Sequence, residues 1–188
     1  MSKSLTQNTQ NCQYIASAVE REGGRAFYVG GCVRDSLLGK TPKDIDIEIY
    51  GLSSKKIEAI LRKKFRVEVV GKSFGVWILK GCDIDVSMPR RERKNGEGHK
   101  AFVIEGDPFM SHEEACARRD FTINAILQDI LTGEIIDPYN GKRDLEQKIL
   151  RHTSSRFSED SLRVLRAMQF AARFNFDVAP ETVELCSS

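Results

Sequence analysis

Two rhythms of hydrophobic and polar positions run along this chain, and glycines separate them. Tyr14, Ile15, Ala18 and Val19 recur at helical spacing and stop at Gly23-Gly24, which predicts a helix over 11–22, with residues 1–10 as a loose tail. "AFYV" (26–29) reads as a short buried strand, and "CVRDSLLG" (32–39) as a short helix ended by Gly39. "DIDIEIY" (44–50) sets acids against Ile and Tyr at the period of a half-buried strand. Residues 53–64 predict a helix capped by Ser53 or Ser54, and "FRVEVV", "GVWILK" and "CDIDVSM" follow as strands.

The charged stretch 90–106 holds Gly96, Gly98 and Gly106 and reads as a mobile loop. Residues 111–126 read as a helix, "AILQDI" and "EIIDPY" as a hairpin across "LTG", and 140–149 as another helix. Residues 158–174 carry the clearest helical pattern. Ser158 is its expected cap, Glu159 and Asp160 suit its positive end, and Leu162, Leu165, Ala167, Met168, Phe170 and Ala171 supply an apolar face. A further helix opens after Pro180 and the pattern breaks off, so the chain reads as truncated.

Composition narrows the class. The 188 residues are 40% hydrophobic and 30% charged, the balance of a globular domain with a second one begun. No apolar run approaches the roughly 20 residues that cross a bilayer, and the polar N-terminus lacks a secretory pattern. Five scattered cysteines, none in C-x-x-C spacing, argue against disulfides or a zinc site and fit a reducing cytoplasm. The net charge of +2 identifies no partner, but basic residues crowd 90–100, 118–119 and 142–173, where polyanions could bind.

Four clusters carry candidate chemistry. Gly30-Gly31 between a strand and a helix could bring backbone N–H groups close to phosphate, with Arg34 one turn on; alone, the pair is more often a tight turn. Asp44 and Asp46 project from one strand face, where two carboxylates repel unless a divalent cation sits between them. Asp83 and Asp85 repeat the arrangement, and a neighbouring strand would add a third carboxylate. Glu48 extends the same outer face, which keeps a plain solvated strand open as a reading. Arg118-Arg119-Asp120, with Asn124, could be a surface ion-pair network or could hold a triphosphate and a ribose hydroxyl. Asp160, Arg163 and Arg166 fall along one helix face, as a salt bridge or as donors and acceptors for a nucleobase edge. The three histidines are isolated, and Trp77 reads as core.

In order, Gly30-Gly31-x-Val33-Arg34-Asp35, Asp44-x-Asp46, "RRDFTINAI" (118–126), "IDPYNGKRDL" (136–145) and "EDSLRVLRAMQFAARF" (159–174) resemble the catalytic head of class II tRNA nucleotidyltransferases, the CCA-adding enzymes, and of the related bacterial poly(A) polymerases. The resemblance covers about 25–180. It implies an α+β fold of the polymerase β-like nucleotidyltransferase type, with a mixed, mostly antiparallel sheet and flanking helices. The implied layout is a tail and helix over 1–24, the head over 25–150 and the start of a helical neck over 151–188.

It also implies roles. Asp44 and Asp46 would hold two Mg2+ ions, with Asp85 as third acid. Gly30, Gly31 and Arg34 would meet the nucleotide's phosphates, Arg119 the nucleotide, and Asp120 its ribose. Glu159 would orient Arg163; Asp160 and Arg163 would pair with the base of CTP or ATP, and Arg166 would add a contact. The implied partner is the 3′ acceptor end of tRNA, with no membrane and with a further C-terminal segment or partner chain for grip. Gln169 stands where many relatives carry Arg, which puts that contact in doubt. Full CCA addition, CC- or A-only addition, and poly(A) synthesis remain open, beside a non-catalytic RNA-binding module. The paired acids argue against that last reading.

Overall fold

A computed structural model describes residues 3–70, 75–94, 102–160 and 162–187; the side chains of 3–5, 92–94, 102–104 and Glu159 lie outside that description. The elements are α1 (Lys3–Arg21), β1 (Arg25–Val29), α2 (Gly31–Leu37), β2 (Ile45–Tyr50), α3 (Ser54–Arg62), β3 (Val67–Val70), β4 (Val76–Leu79), β5 (Ile84–Ser87), β6 (Arg90–Lys94) and β7 (Phe102–Gly106). There follow α4 (His112–Ala117), β8 (Leu127–Asp129), β9 (Ile135–Ile136), α5 (Gly141–Gln147), β10 (Ile149–Leu150), α6 (Leu162–Phe174), β11 (Asp177–Val178) and α7 (Pro180–Ser187). Two compact units divide them. The first comprises Met1–Tyr28, Lys43–Met110 and Gln128–Glu134; the second comprises Val29–Pro42, Ser111–Leu127 and Ile135–Ser188.

The first unit is built on a mixed sheet in the order β3-β4-β5-β2-β1, with residues 128–129 beyond β1. Every pairing among those five strands is antiparallel except β2 with β5, which is parallel. The isoleucines of the alternating strand face inward: Ile47 and Ile49 are fully buried with Ile84 and Val86. Trp77 and Leu79 of β4, Cys12, Ile15 and Val19 of α1, and Ile57, Ile60 and Leu61 of α3 complete one core. Truncating such a fully buried Ile or Leu to Ala costs about 2–5 kcal/mol. At the other edge Asp129 turns the hairpin. Its Oδ1 accepts from the N–H groups of Leu131 and Thr132, and its Oδ2 receives Arg25.

Two expectations in this unit are corrected. The helix begins at Lys3, not after a tail. Asn8 and Asn11 continue the inward face of Cys12, Ile15 and Val19, and both are buried; polar side chains on that face hide the period from a hydrophobicity reading. Residues 90–94 and 102–106 are strands, not loop, and pair antiparallel with Arg90 opposite Gly106. The charged residues of this ribbon mask its strand period. Residues 95–101 of the expected loop lie outside the described residues.

The second unit is mostly helical. The predicted helix over 111–126 is only α4, opened by a full capping box of Ser111 and Glu114; a 3-10 turn follows at Thr122–Asn124. The helix expected from Ser158 starts at Leu162, after a 3-10 turn over Ser155–Glu159 in which Ser158 donates to the Ser155 carbonyl. Asp160 is the capping side chain instead: its Oδ1 accepts from the Leu162 N–H at 2.9 Å. The single apolar face expected on this helix is split. Ala167 and Phe170 are buried, whereas Leu162, Leu165 and Met168 are exposed.

The stretch "IDPYNGKRDL" acts as a clasp. Asp137 caps α5 by accepting from the N–H groups of Gly141 and Lys142 at 2.7 and 2.9 Å. Buried Asp144 accepts from Thr122 Oγ1 at 2.7 Å and from Arg151. A Cβ on Gly141 would stand 2.1 Å from the Thr122 carbonyl oxygen, so only glycine lets α5 approach this closely. Gly141→Ala is therefore expected to destabilise the protein by about 1–3 kcal/mol, read as a lower thermal midpoint. An unchanged midpoint would show that the 122–141 contact is not tight in solution.

Candidate active site

The carboxylates lie in the first unit. Asp44 immediately precedes β2, and Asp46 is its second residue; both are exposed while Ile47 turns into the core. The parallel register sets Ile45 beside Ile84 and Asp46 beside Asp85. On β5 the pattern repeats, with Ile84 and Val86 buried and Asp85 exposed between them. Like charges at the same level of neighbouring strands repel. Partial burial, and then the negative charge of Asp44, push the Asp85 carboxyl above the usual carboxylate range.

Glu48 follows Asp46 on the same strand face but is covered there. It is buried and accepts from the Tyr50 hydroxyl at 2.6 Å, so the reading of a solvated strand face fails at that position. A hard divalent cation fits what remains: three carboxylate groups, with no thiol or imidazole among them. Among the described residues no group of three or more His, Cys, Asp or Glu is gathered in metal-holding geometry. Magnesium needs only one or two carboxylates, with water and substrate phosphate supplying its other ligands.

The remaining candidates belong to the second unit. Gly30 has φ 70° and ψ −132°, a conformation open to glycine, and its carbonyl accepts the first helical bond from the Arg34 N–H. A Cβ on Gly31 would lie 3.3 Å from Nη2 of Arg34, so the second glycine leaves room for that guanidinium. Arg34 is buried. It binds Asp35 at 2.7 Å and Asn124 at 2.6 Å, and lies over the rings of Phe170 and Phe174 at 5.4 and 4.7 Å.

Asp120 is also buried. Its Oδ1 accepts from Asn124 at 2.9 Å and from the Phe121 N–H, and its Oδ2 receives Arg166 through Nε at 2.8 Å and Nη2 at 2.6 Å. Arg163 donates to the carbonyls of Arg156 and Arg118 at 2.7 and 2.8 Å. Arg118 and Arg119 are half-buried, and Gln169 is exposed on α6. Asp160 stands ahead of α6 in extended conformation, not on the helix face where the spacing of Asp160, Arg163 and Arg166 set it. The Glu159 side chain lies outside the described residues.

Thus Asp46 and Asp85 share a level in the first unit, while Arg34, Asn124, Asp120 and Arg166 are bonded together in the second. Sequence reasoning missed that bonded set and the aromatic support beneath it. The available signal was Phe170 and Phe174, four residues apart beside Arg166 and Arg173 on one helix.

Residues 26–151 match the family described as the Poly A polymerase head domain. A multifunctional CCA protein of Xanthomonas campestris pv. campestris (strain B100) is 43% identical over 164 residues, covering 86% of this chain and 39% of that protein. One from Pseudomonas fluorescens is 46% identical over the same length and coverage. This chain therefore spans about two fifths of these relatives. Among solved structures, the Bacillus stearothermophilus CCA-adding enzyme in complex with CTP superposes with a TM-score of 0.76 at 31% identity, over 98% of this chain and 43% of that one. A tRNA nucleotidyltransferase complexed with a primer tRNA and an incoming ATP analog gives 0.73 at 32% identity, over 92% and 48%.

The coupling of Asp44 to Asp85 is directly measurable. A raised carboxyl pKa favours the folded state below the unfolded value, and that contribution is lost as pH rises through the folded one. Asp44→Asn removes the second cause of the shift, so the Asp85 pKa should fall towards the ordinary range in metal-free buffer, followed by carboxyl carbon NMR. A titration identical to the parent's would mean that the two acids do not sense each other.

Proposed function

Because the chain belongs to the Poly A polymerase head-domain family, we propose that it is the catalytic part of a template-independent tRNA nucleotidyltransferase, adding C and/or A of the CCA end from CTP and ATP. The observation that carries this reading is the level pairing of Asp46 and Asp85 beside Asp44. Three exposed acids at the starts of two neighbouring strands cost electrostatic repulsion and return nothing to the fold.

In this reaction a terminal 3′-hydroxyl attacks the α-phosphorus of the nucleotide. A new P–O bond forms, the bond to the β-phosphate breaks, and pyrophosphate leaves. Asp44 and Asp46 would hold two divalent cations, Mg2+ by the chemistry of the donors, which neutralise phosphate charge and acidify the attacking hydroxyl when bound, with Asp85 as third acid. Asp85, level with Asp46, would take the hydroxyl's proton.

In the second unit the backbone at Gly30-Gly31 and the Arg34 guanidinium meet the triphosphate, and Arg119 and Asp120 meet the nucleotide and its ribose. Asp160 and Arg163 present an acceptor and a donor to the base edge once a nucleotide replaces their present partners, with Glu159 orienting Arg163 and Arg166 adding a contact. One good bidentate pair of this kind discriminates bases by about 1–3 kcal/mol. Little covalent work falls to the protein; positioning and charge dominate.

Basic stretches around 90–94 and 142–173 suit the acceptor end of tRNA, with salt-dependent affinity. Among the described residues no helix is long and apolar enough to cross a membrane. We assign the reaction to the cytoplasm, in keeping with five free cysteines. The family's own description favours a second reading, addition of A tracts to RNA.

One assay separates these readings. The protein is given tRNA lacking its CCA end, Mg2+, and labelled CTP and ATP, singly and together, and the products are sized. Addition of C, C and A followed by a stop is expected. An unbounded A tract would favour the second reading, and no incorporation under any combination would sink the enzyme reading. Asp46→Ala should cut the rate by about a thousandfold or more while the thermal midpoint stays near the parent's.

A further inference from the structure

Arg34 is 4% exposed, Asn124 7% and Asp120 9%, so their polar atoms must find partners inside the protein. Nη1 of Arg34 donates to Oδ1 of Asn124 at 2.6 Å, and Nδ2 of Asn124 donates to Oδ1 of Asp120 at 2.9 Å. Oδ2 of Asp120 then receives Nε and Nη2 of Arg166. The bonds form one unbroken line from α2, just behind Gly30-Gly31, to α6. Both guanidinia also lie over the ring of Phe170, at 5.4 and 5.2 Å, which closes the line into a loop.

The line has a direction. A guanidinium only donates and a carboxylate only accepts, so the group between Arg34 and Asp120 must accept on one side and donate on the other. An asparagine amide does both without charge. An aspartate there would still accept from Arg34 but would set a second carboxylate against Asp120. A leucine would do neither, and would leave buried Arg34 and Asp120 each short of a partner.

We propose that Asn124 is a positioning residue that locks the Asp120 carboxylate to Arg34, so that the groups meeting the triphosphate and those meeting the sugar and base are set as one piece. This inference rests on the nucleotide-site assignments made under the proposed function. Asn124 touches no substrate atom in it; it acts through Asp120, whose two oxygens it and Arg166 share.

Two readouts test it. Binding of inorganic tripolyphosphate reports the phosphate groups alone, and the ratio of kcat/KM for CTP to that for 2′-deoxy-CTP reports the sugar contact. Asn124→Asp should leave tripolyphosphate binding within about twofold of the parent and lower the preference for CTP by about tenfold. Asn124→Leu should weaken both. A folded Asn124→Asp protein with unchanged sugar preference overturns the inference. So does an equal loss towards tripolyphosphate and both nucleotides, the pattern of a general structural defect. If Asn124→Asp does not fold, Asn124→Ser, shorter and uncharged, carries the same expectation and the same refutation. A parent protein that binds neither tripolyphosphate nor CTP would remove the site assignment itself, and the inference with it; normal binding by the parent with an indifferent variant would remove only the inference.

Discussion

The parallel pairing of β2 with β5 is the constraint on which the first unit depends. In an otherwise antiparallel set of five strands, this one pair runs the same way. Parallel neighbours need a long crossover, and α3, β3 and β4 supply it. The same-direction register lets two Asp-Ile-Asp stretches fall in step, isoleucine beside isoleucine and acid beside acid. The core gains the isoleucines, and the sheet accepts the repulsion as a consequence. A shift of one residue in either strand would bury carboxylates and expose isoleucines, so the core itself enforces the register of the acids.

The second unit solves a different problem, that of a buried cation. A guanidinium out of water is tolerated only when its charge and donors are matched. Asp35 supplies the charge, Asn124 an acceptor, and two phenylalanine rings the faces. Gly31 belongs to the same solution, since a side chain there would press on the guanidinium. The glycine pair serves the interior of this unit as well as any ligand outside it.

Much of this was legible in the chain. The alternation in "DIDIEIY" announced both the strand and the outward acids, because a period of two is a geometric property of extended backbone. The glycine pair and the short helix after it were equally plain. What stayed hidden was every feature carried by polar side chains turned inward. Asn8 and Asn11 concealed the first turns of α1, buried Glu48 passed for a surface acid, and every partner of Arg34 but its neighbour Asp35 lies ninety or more residues away. Pattern reading assigns polar residues to solvent, and these go elsewhere because a specific donor or acceptor waits for them. Asp160 was mistaken in another way: a capping residue and a first-turn residue share the same composition, and only the hydrogen bond to Leu162 tells them apart.

The division into two units has a consequence for how the chain is made. Neither unit is a continuous segment, because the chain passes between them after residues 28, 42, 110, 127 and 134. Arg25 emerges from a ribosome more than a hundred residues before Asp129 and Glu134, its ion-pair partners, and Arg34 precedes Phe174 by still more. Such long-range closure slows folding. A nascent chain therefore carries Arg34, a charge destined for the interior, without its distant partners until synthesis has passed α6, and cutting the chain between the units yields neither of them whole.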